Sequence, residues 1–172
     1  GNGDIWTGSD ALEMMARTGA DGVVVGRGCL GRPWLFSQLT AAFAGEELPT
    51  EPRLGRVLQI LRRHAELLTL DYGEAKGCRD MRKHMSWYLK GFSVAHTVRQ
   101  PLGTVQTLAE IDALLSQIDP DQAFNSEVGS GPRGRTSGSR RPALPDRWLE
   151  TCELTSEDRV NVSLAELSVS GG

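Results

Sequence analysis

The chain has 172 residues, 39% hydrophobic and 24% charged, with a formal net charge of −3, a composition ordinary for a soluble globular protein of one full domain or pieces of two. No apolar stretch approaches the roughly 18 residues of a membrane span and no basic-then-apolar leader is visible, so neither membrane insertion nor secretion is expected. The three cysteines, Cys29, Cys78 and Cys152, are odd in number and far apart, with no C-x-x-C pair or metal spacing, so disulfide stapling is not expected and a reducing cytoplasm fits best.

The charge is unevenly spread. Residues 1–52 carry three basic and seven acidic groups, whereas residues 53–99 carry ten basic and four acidic. Residues 100–128 hold five acids and no base, and residues 129–172 balance at six each. A basic block inside an acidic chain points to an anionic partner at one place only.

The first predicted element is a helix capped by Ser9, with Ala11, Leu12, Met15 and Ala16 at helical spacing and Gly19 as its stop. Gly22-Val23-Val24-Val25 is short, β-branched and without polar alternation, as in a parallel strand buried on both faces. Gly26, Gly28 and Gly31 then punctuate a loop, and Pro33 suits the first turn of a helix whose apolar face is Trp34, Leu35, Phe36 and Leu39. Gly45 ends that helix, and the polar, proline-containing stretch 46–52 reads as a domain boundary.

Leu54, Val57, Leu58, Leu61, Ala65 and Leu68 recur at three and four residues and predict a long amphipathic helix, broken by Gly73. A second helical stretch follows over 74–90, with Met81, Met85, Trp87, Tyr88 and Leu89 among basic residues. Thr107 and Glu110 form a capping-box pattern ahead of a last helix carrying Ile111, Leu114, Leu115 and Ile118. Beyond Pro120 the periodicity dissolves. Residues 125–146 are rich in Gly, Ser, Pro and Arg and are expected to be disordered, with only local order near Trp148 and Val160–Val169.

Gly1-Asn2-Gly3-Asp4 and Gly26-Arg27-Gly28 lie about one β-α unit apart and read as two halves of a phosphate clamp. Glycines let backbone N–H groups approach an anion closely, and an Arg at a strand end forks onto phosphate oxygens. Loops after the last strands of (β/α)₈ barrels do this work. Asp4, a like charge to phosphate, is expected to cap the following helix or to hold a loop, with its N–H rather than its carboxylate facing the ligand.

These stretches, with Gly31-Arg32-Pro33-Trp34-Leu35-Phe36, closely resemble the barrel end of tRNA-dihydrouridine synthases. Arg82-Lys83-His84 with Trp87-Tyr88-Leu89-Lys90-Gly91 resembles the signature of that family's C-terminal helical domain. The resemblance covers about residues 1–118. It implies an α/β fold: the C-terminal end of an incomplete (β/α)₈ TIM barrel over 1–46, an all-α tRNA-binding domain over 53–118, and a disordered tail over 119–172. It implies a cytoplasmic, monomeric FMN enzyme that reduces the C5–C6 double bond of uridine in tRNA with NADPH. Asn2, Gly3, Asp4, Gly26 and Arg27 would then hold the phosphate and ribityl end of FMN.

The family's proton-donating cysteine lies in an Asn-x-Gly-Cys-Pro motif that matches nothing here, so no catalytic residue is assigned. A closed barrel takes about 250 residues, and the chain by itself is expected to be inactive. Lys76, Arg79, Arg82, Lys83, His84 and Lys90 are the candidates for contact with the RNA backbone. Composition leaves a groove for RNA and a solvated face about even. Of the adjacent Trp87 and Tyr88, one is expected in the core, while His64 and His96 read as isolated surface or packing histidines. Arg133, Arg135, Arg140 and Arg141 read as part of the tail. The alternative reading is a stand-alone helical RNA-binding module with a barrel remnant.

Overall fold

Thr7, rather than Ser9, starts the first helix, α1 (Gly8–Thr18). Its hydroxyl accepts from Asp10 N at 3.2 Å, and the Asp10 carboxylate takes the Thr7 N–H at 2.8 Å in return. This reciprocal box satisfies two N–H groups that the helix itself leaves unpaired. Gly19 closes α1 in the left-handed conformation at φ 70°. The computed structural model describes residues 1–129, 133, 148–151 and 153–169. The chain divides into two units, Gly1–Thr136 and Ser137–Gly172.

The strand expected at Val23–Val25 is reduced to one parallel bridge, Asn2 to Val24, held by Val24 N donating to Gly1 O at 2.8 Å. A ladder needs neighbours along its length, and among the described residues Val24 has only the short segment at Asn2. A 3₁₀ turn follows over Arg27–Cys29, then α2 (Leu35–Ala44), which ends at the left-handed Gly45. Ile5, Ala11, Leu35 and Leu39 form a small buried cluster where α1 meets α2.

The second cluster is larger. The helix α3 (Leu54–Tyr72) buries Leu54, Val57, Leu58, Leu61 and Ala65, the stripe that its periodicity predicts. It pairs with α4 (Glu74–Tyr88), which buries Cys78, Met81, Met85 and Tyr88, and Gly73 makes the turn between them. Two further helices close the cluster: α5 (His96–Leu102), with Pro101 in its last turn, and α6 (Leu108–Leu115), capped by Thr107. Arg62 reaches from α3 to Asp112 of α6 at 2.6 Å. Arg99 donates to the carbonyls of Leu89, Phe92 and Val94, which holds the turn after α4 in shape.

The disorder expected from residue 119 onward does not begin there. Arg53 offers α3 no side-chain cap. Instead Leu54 N donates to Gln122 O at 2.9 Å and Gly55 N to Pro120 O at 2.8 Å. Arg53 Nη1 also donates to Asp121 O at 2.7 Å. The segment after α6 thus supplies the acceptors that the start of α3 lacks, and Phe124 packs on Phe92 at 5.6 Å between ring centroids. A short helix, α7 (Ser126–Gly129), follows. In the second unit α8 (Trp148–Thr151) and α9 (Ser156–Val169) are helical. Most of the Gly/Ser/Pro/Arg-rich stretch lies outside the described residues.

Candidate functional site

The five clamp residues meet. Asn2, Gly3, Asp4, Gly26 and Arg27 line one cavity of about 230 Å³ together with Ile5, Trp6, Val24 and Gly28. The Asn2–Val24 bridge draws the two stretches side by side, and Gly28 fixes the floor. A Cβ at Gly28 would run into the Ile5 carbonyl oxygen, so only glycine permits this approach. At Gly3 and Gly26, by contrast, nothing lies within 4 Å of an added Cβ, and the backbone borders open space.

Asp4 does not cap α1, because Thr7 and Asp10 already do. Its backbone sits at φ 43°, a left-handed conformation that Asp tolerates better than most residues. Its carboxylate, 81% exposed, lies 3.7 Å from Arg27 Nη2, itself on a half-exposed side chain. Cys29 lies just behind this loop, its thiol donating to Gly26 O at 3.1 Å.

Gly31 joins this loop to the helical cluster. At φ 64° its Cα abuts the backbone of Trp87 and Tyr88 at the end of α4, with no room for a side chain. Next to it, the guanidinium of Arg32 is buried against Glu51 and also donates to Trp6 O at 3.3 Å. Glu51 accepts in addition from Trp34 Nε1 at 2.6 Å and Gln38 Nε2 at 3.3 Å.

The six basic candidates separate by geometry. Lys76, Arg79 and Lys83 are exposed, three and four residues apart, so they share one outer face of α4. On that face Lys76 pairs with Asp80 at 2.8 Å and sits 3.8 Å over the Tyr72 ring. Arg82 points elsewhere: its Nε and Nη2 donate to the carbonyls of Val105 and Thr104 at 2.9 and 3.0 Å. Lys90 lies past the end of α4 and is half-buried; burial, and then nearby Arg133, push its ammonium down.

His84 belongs to a ring cluster rather than to the exposed face. It stands edge-on to Trp87 and to His64, each at 4.8 Å between centroids. His64 Nδ1 in turn shares a 3.2 Å hydrogen bond with Tyr88 OH, so His64 is not isolated. Burial is the main cause that pushes His84 down to about 4, with His64 and Lys83 adding to it, and burial raises Tyr88 to about 12. Both are therefore neutral at physiological pH.

A histidine whose folded pKa lies below its unfolded value of about 6.5 takes up its proton in the unfolded chain first. Stability from this group is therefore full above pH ~6.5 and falls as the pH drops toward 4. Discounted for the half-exposed ring, the expected loss is about 1–2 kcal/mol. Urea titrations at pH 7 and pH 4.5 measure it, and His84→Gln should flatten the dependence in that window. An unchanged slope in the variant would rule out His84 as the source.

A family model described as Dihydrouridine synthase matches residues 1–126. The chain belongs to the dihydrouridine synthase family. It is 51% identical over 173 residues to a "Probable tRNA-dihydrouridine synthase" of Mycobacterium leprae, covering 100% of this chain and 44% of that protein. With a protein of the same description from Mycobacterium tuberculosis it shares 53% identity over 149 residues, covering 87% of this chain and 38% of the relative. A "tRNA-dihydrouridine synthase B" of Pasteurella multocida is 36% identical over 104 residues, covering 60% and 31%. The chain thus spans less than half the length of these curated relatives.

One residue of the chain departs from its sequence reading altogether. Arg133 is not a solvated tail residue but 2% exposed, and its Nε donates to Trp87 O at 3.2 Å. Burial, together with Arg32, pushes its guanidinium down to about 10, against the pull of Glu51. One Arg among several in a Gly/Ser-rich stretch carries no sign of such burial. Arg135, Arg140, Arg141 and Cys152 lie outside the described residues. Among the described residues no helix is long and apolar enough to cross a membrane, and no cluster of three His, Cys, Asp or Glu could hold a metal.

Proposed function

We propose that this chain forms part of a flavin-dependent tRNA-dihydrouridine synthase. In this reading residues 1–46 are the last part of an FMN-binding (β/α)₈ barrel and residues 53–118 are a helical tRNA-binding domain. What supports it is the convergence of Asn2, Gly3, Asp4, Gly26 and Arg27 on one cavity, in a chain that the family model matches over 1–126. The cradle suits a phosphate: the backbone at Gly3 and Gly26 borders open space, which gives an anion room to approach it, and Arg27 supplies a guanidinium. Bound there, FMN would supply hydride for the C5–C6 double bond of a uridine, with NADPH as the reductant. Asp4 beside Arg27 tempers the positive charge, which leaves the backbone to do most of the holding.

The 172 residues by themselves are expected to bind FMN weakly and to show no turnover. The function is therefore tested in the cell that encodes them. Disrupting the coding sequence should abolish dihydrouridine at one or more positions of bulk tRNA, read by nucleoside mass spectrometry. Unchanged dihydrouridine would overturn the reading. If the purified chain still bound tRNA in that case, the stand-alone RNA-binding module would replace it, a reading favoured by the large buried cluster that runs from Leu54 to Ile118.

For tRNA contact we assign the outer face of α4. Arg79→Ala with Lys83→Ala should weaken tRNA binding uniformly across sequences and reduce the salt slope by about 1–2. Arg82→Ala should instead act on stability, since its guanidinium holds the Thr104 and Val105 carbonyls. Equal salt slopes for the double variant and the parent would remove this face from the interface.

A further inference from the structure

Beside the ring cluster, α3 carries a second cationic surface outside the α4 face. Pro33, Ile60, Leu67 and Tyr88 wall a groove of about 420 Å³, and Arg56 and Arg63 stand on its rim. Gln59 and His64 complete the lining, which contains no acid. Glu66, next to the groove, engages Nη1 of Arg63 at 2.7 Å, and Arg56 Nη1 donates to the neutral Gln59 amide oxygen at 3.1 Å. Leu67 is 48% exposed and Tyr88 only 4%, so the apolar wall is exposed at one end and buried at the other.

The chemistry of this lining favours one kind of occupant. Apolar surface with a few polar groups suits a planar ring, and Gln59 and His64 offer polar groups to its edge, the Tyr88 hydroxyl being engaged by His64 Nδ1. Arg56 and Arg63 lie about 10.5 Å apart along the helix axis, so their long side chains reach anionic groups on either side of such a ring. We propose that this groove seats one unstacked nucleotide of the RNA, with its base between Ile60, Leu67 and Tyr88 and its flanking phosphates on Arg56 and Arg63. The proposal rests on the reading of the chain as part of a tRNA-modifying enzyme and adds a contact that the α4 face does not make.

The two halves of the groove give separable signatures. Tritium- or dye-labelled tRNA is titrated against the full chain over a range of salt. Arg56→Gln with Arg63→Gln should lower affinity about tenfold at moderate salt and reduce the salt slope by about 1.4, the value for two single-strand phosphates. Leu67→Glu places an acid against the base and should lower affinity about tenfold. Leu67→Ala should lower it less and leave the slope unchanged. All three positions are at or near the surface, and circular dichroism verifies that each variant folds. Full affinity and full slope in the Arg variant, with tRNA still bound, would overturn the groove alone. If Leu67→Glu instead altered the sedimentation of the protein without RNA, the face would be an interface between copies and the nucleotide reading would fall. Failure of the unaltered chain to bind any tRNA would overturn the RNA-binding reading itself, and the groove with it.

Discussion

Glu51→Ala is expected to destabilise the first unit by about 3–5 kcal/mol, the range for removing one partner of a buried ion pair. Glu51 takes the buried Arg32 guanidinium, the Trp34 indole N–H and the Gln38 amide at once. Arg32 Nε and Arg133 Nη1 already lack partners, so no nearby acceptor stands in reserve. Loss of the carboxylate would leave two buried cations facing each other without their shared counter-charge. Denaturant unfolding measures the effect. Glu51→Gln, which keeps acceptors for Trp34, should cost less. Adding Arg32→Met to Glu51→Ala should recover much of the loss, because a buried charge without a partner is the larger part of the penalty. A single variant within 1 kcal/mol of the parent would show that the pair is not the element that holds this region.

Gly31→Ala is the second large effect, expected at about 3 kcal/mol. The left-handed backbone alone costs a non-glycine residue about 1–2 kcal/mol. The new methyl would also strike the main chain of Trp87 and Tyr88, which cannot rotate away as a side chain can. Overpacking of that kind typically adds about 1–3 kcal/mol. The same substitution should loosen the cradle loop relative to α4. Hydrogen exchange should therefore quicken at Cys29–Arg32 and at Trp87–Leu89 together. Quickening at only one of the two segments would argue against their mutual support.

Much of the helical architecture was legible because α3 and α4 write their buried faces as regular stripes, Leu54 to Ala65 and Cys78 to Tyr88. The two glycine-bearing stretches around Asn2 and Arg27, which line one cavity, could be paired from sequence because they lie about one β-α unit apart. What escaped were features whose partners are remote in sequence. Arg82 reads as a free cation until the carbonyls of residues 104 and 105 are seen against it. Arg99 looks like an ordinary surface residue, yet it holds three carbonyls of the preceding turn. The helix α5 was not anticipated because Pro101 and its short length hide any periodicity. The cap at Thr7 is hard to read from sequence because its reciprocal partner is Asp10, not the Glu or Gln of the usual pattern.

The contacts around Gly31 and Glu51 also bear on any attempt to recombine this chain with a relative. By composition the natural place to cut is the polar, proline-bearing stretch 46–52, between the two apolar clusters. A graft made there would part Glu51 from Arg32, Trp34 and Gln38, and would seat a foreign helical half against the Gly31 turn. The structural seam runs instead through matched surfaces on both sides of that linker. Chimaeras that exchange helical halves should carry residues 26–52 along with them, so that the recipient inherits the joint together with the limb.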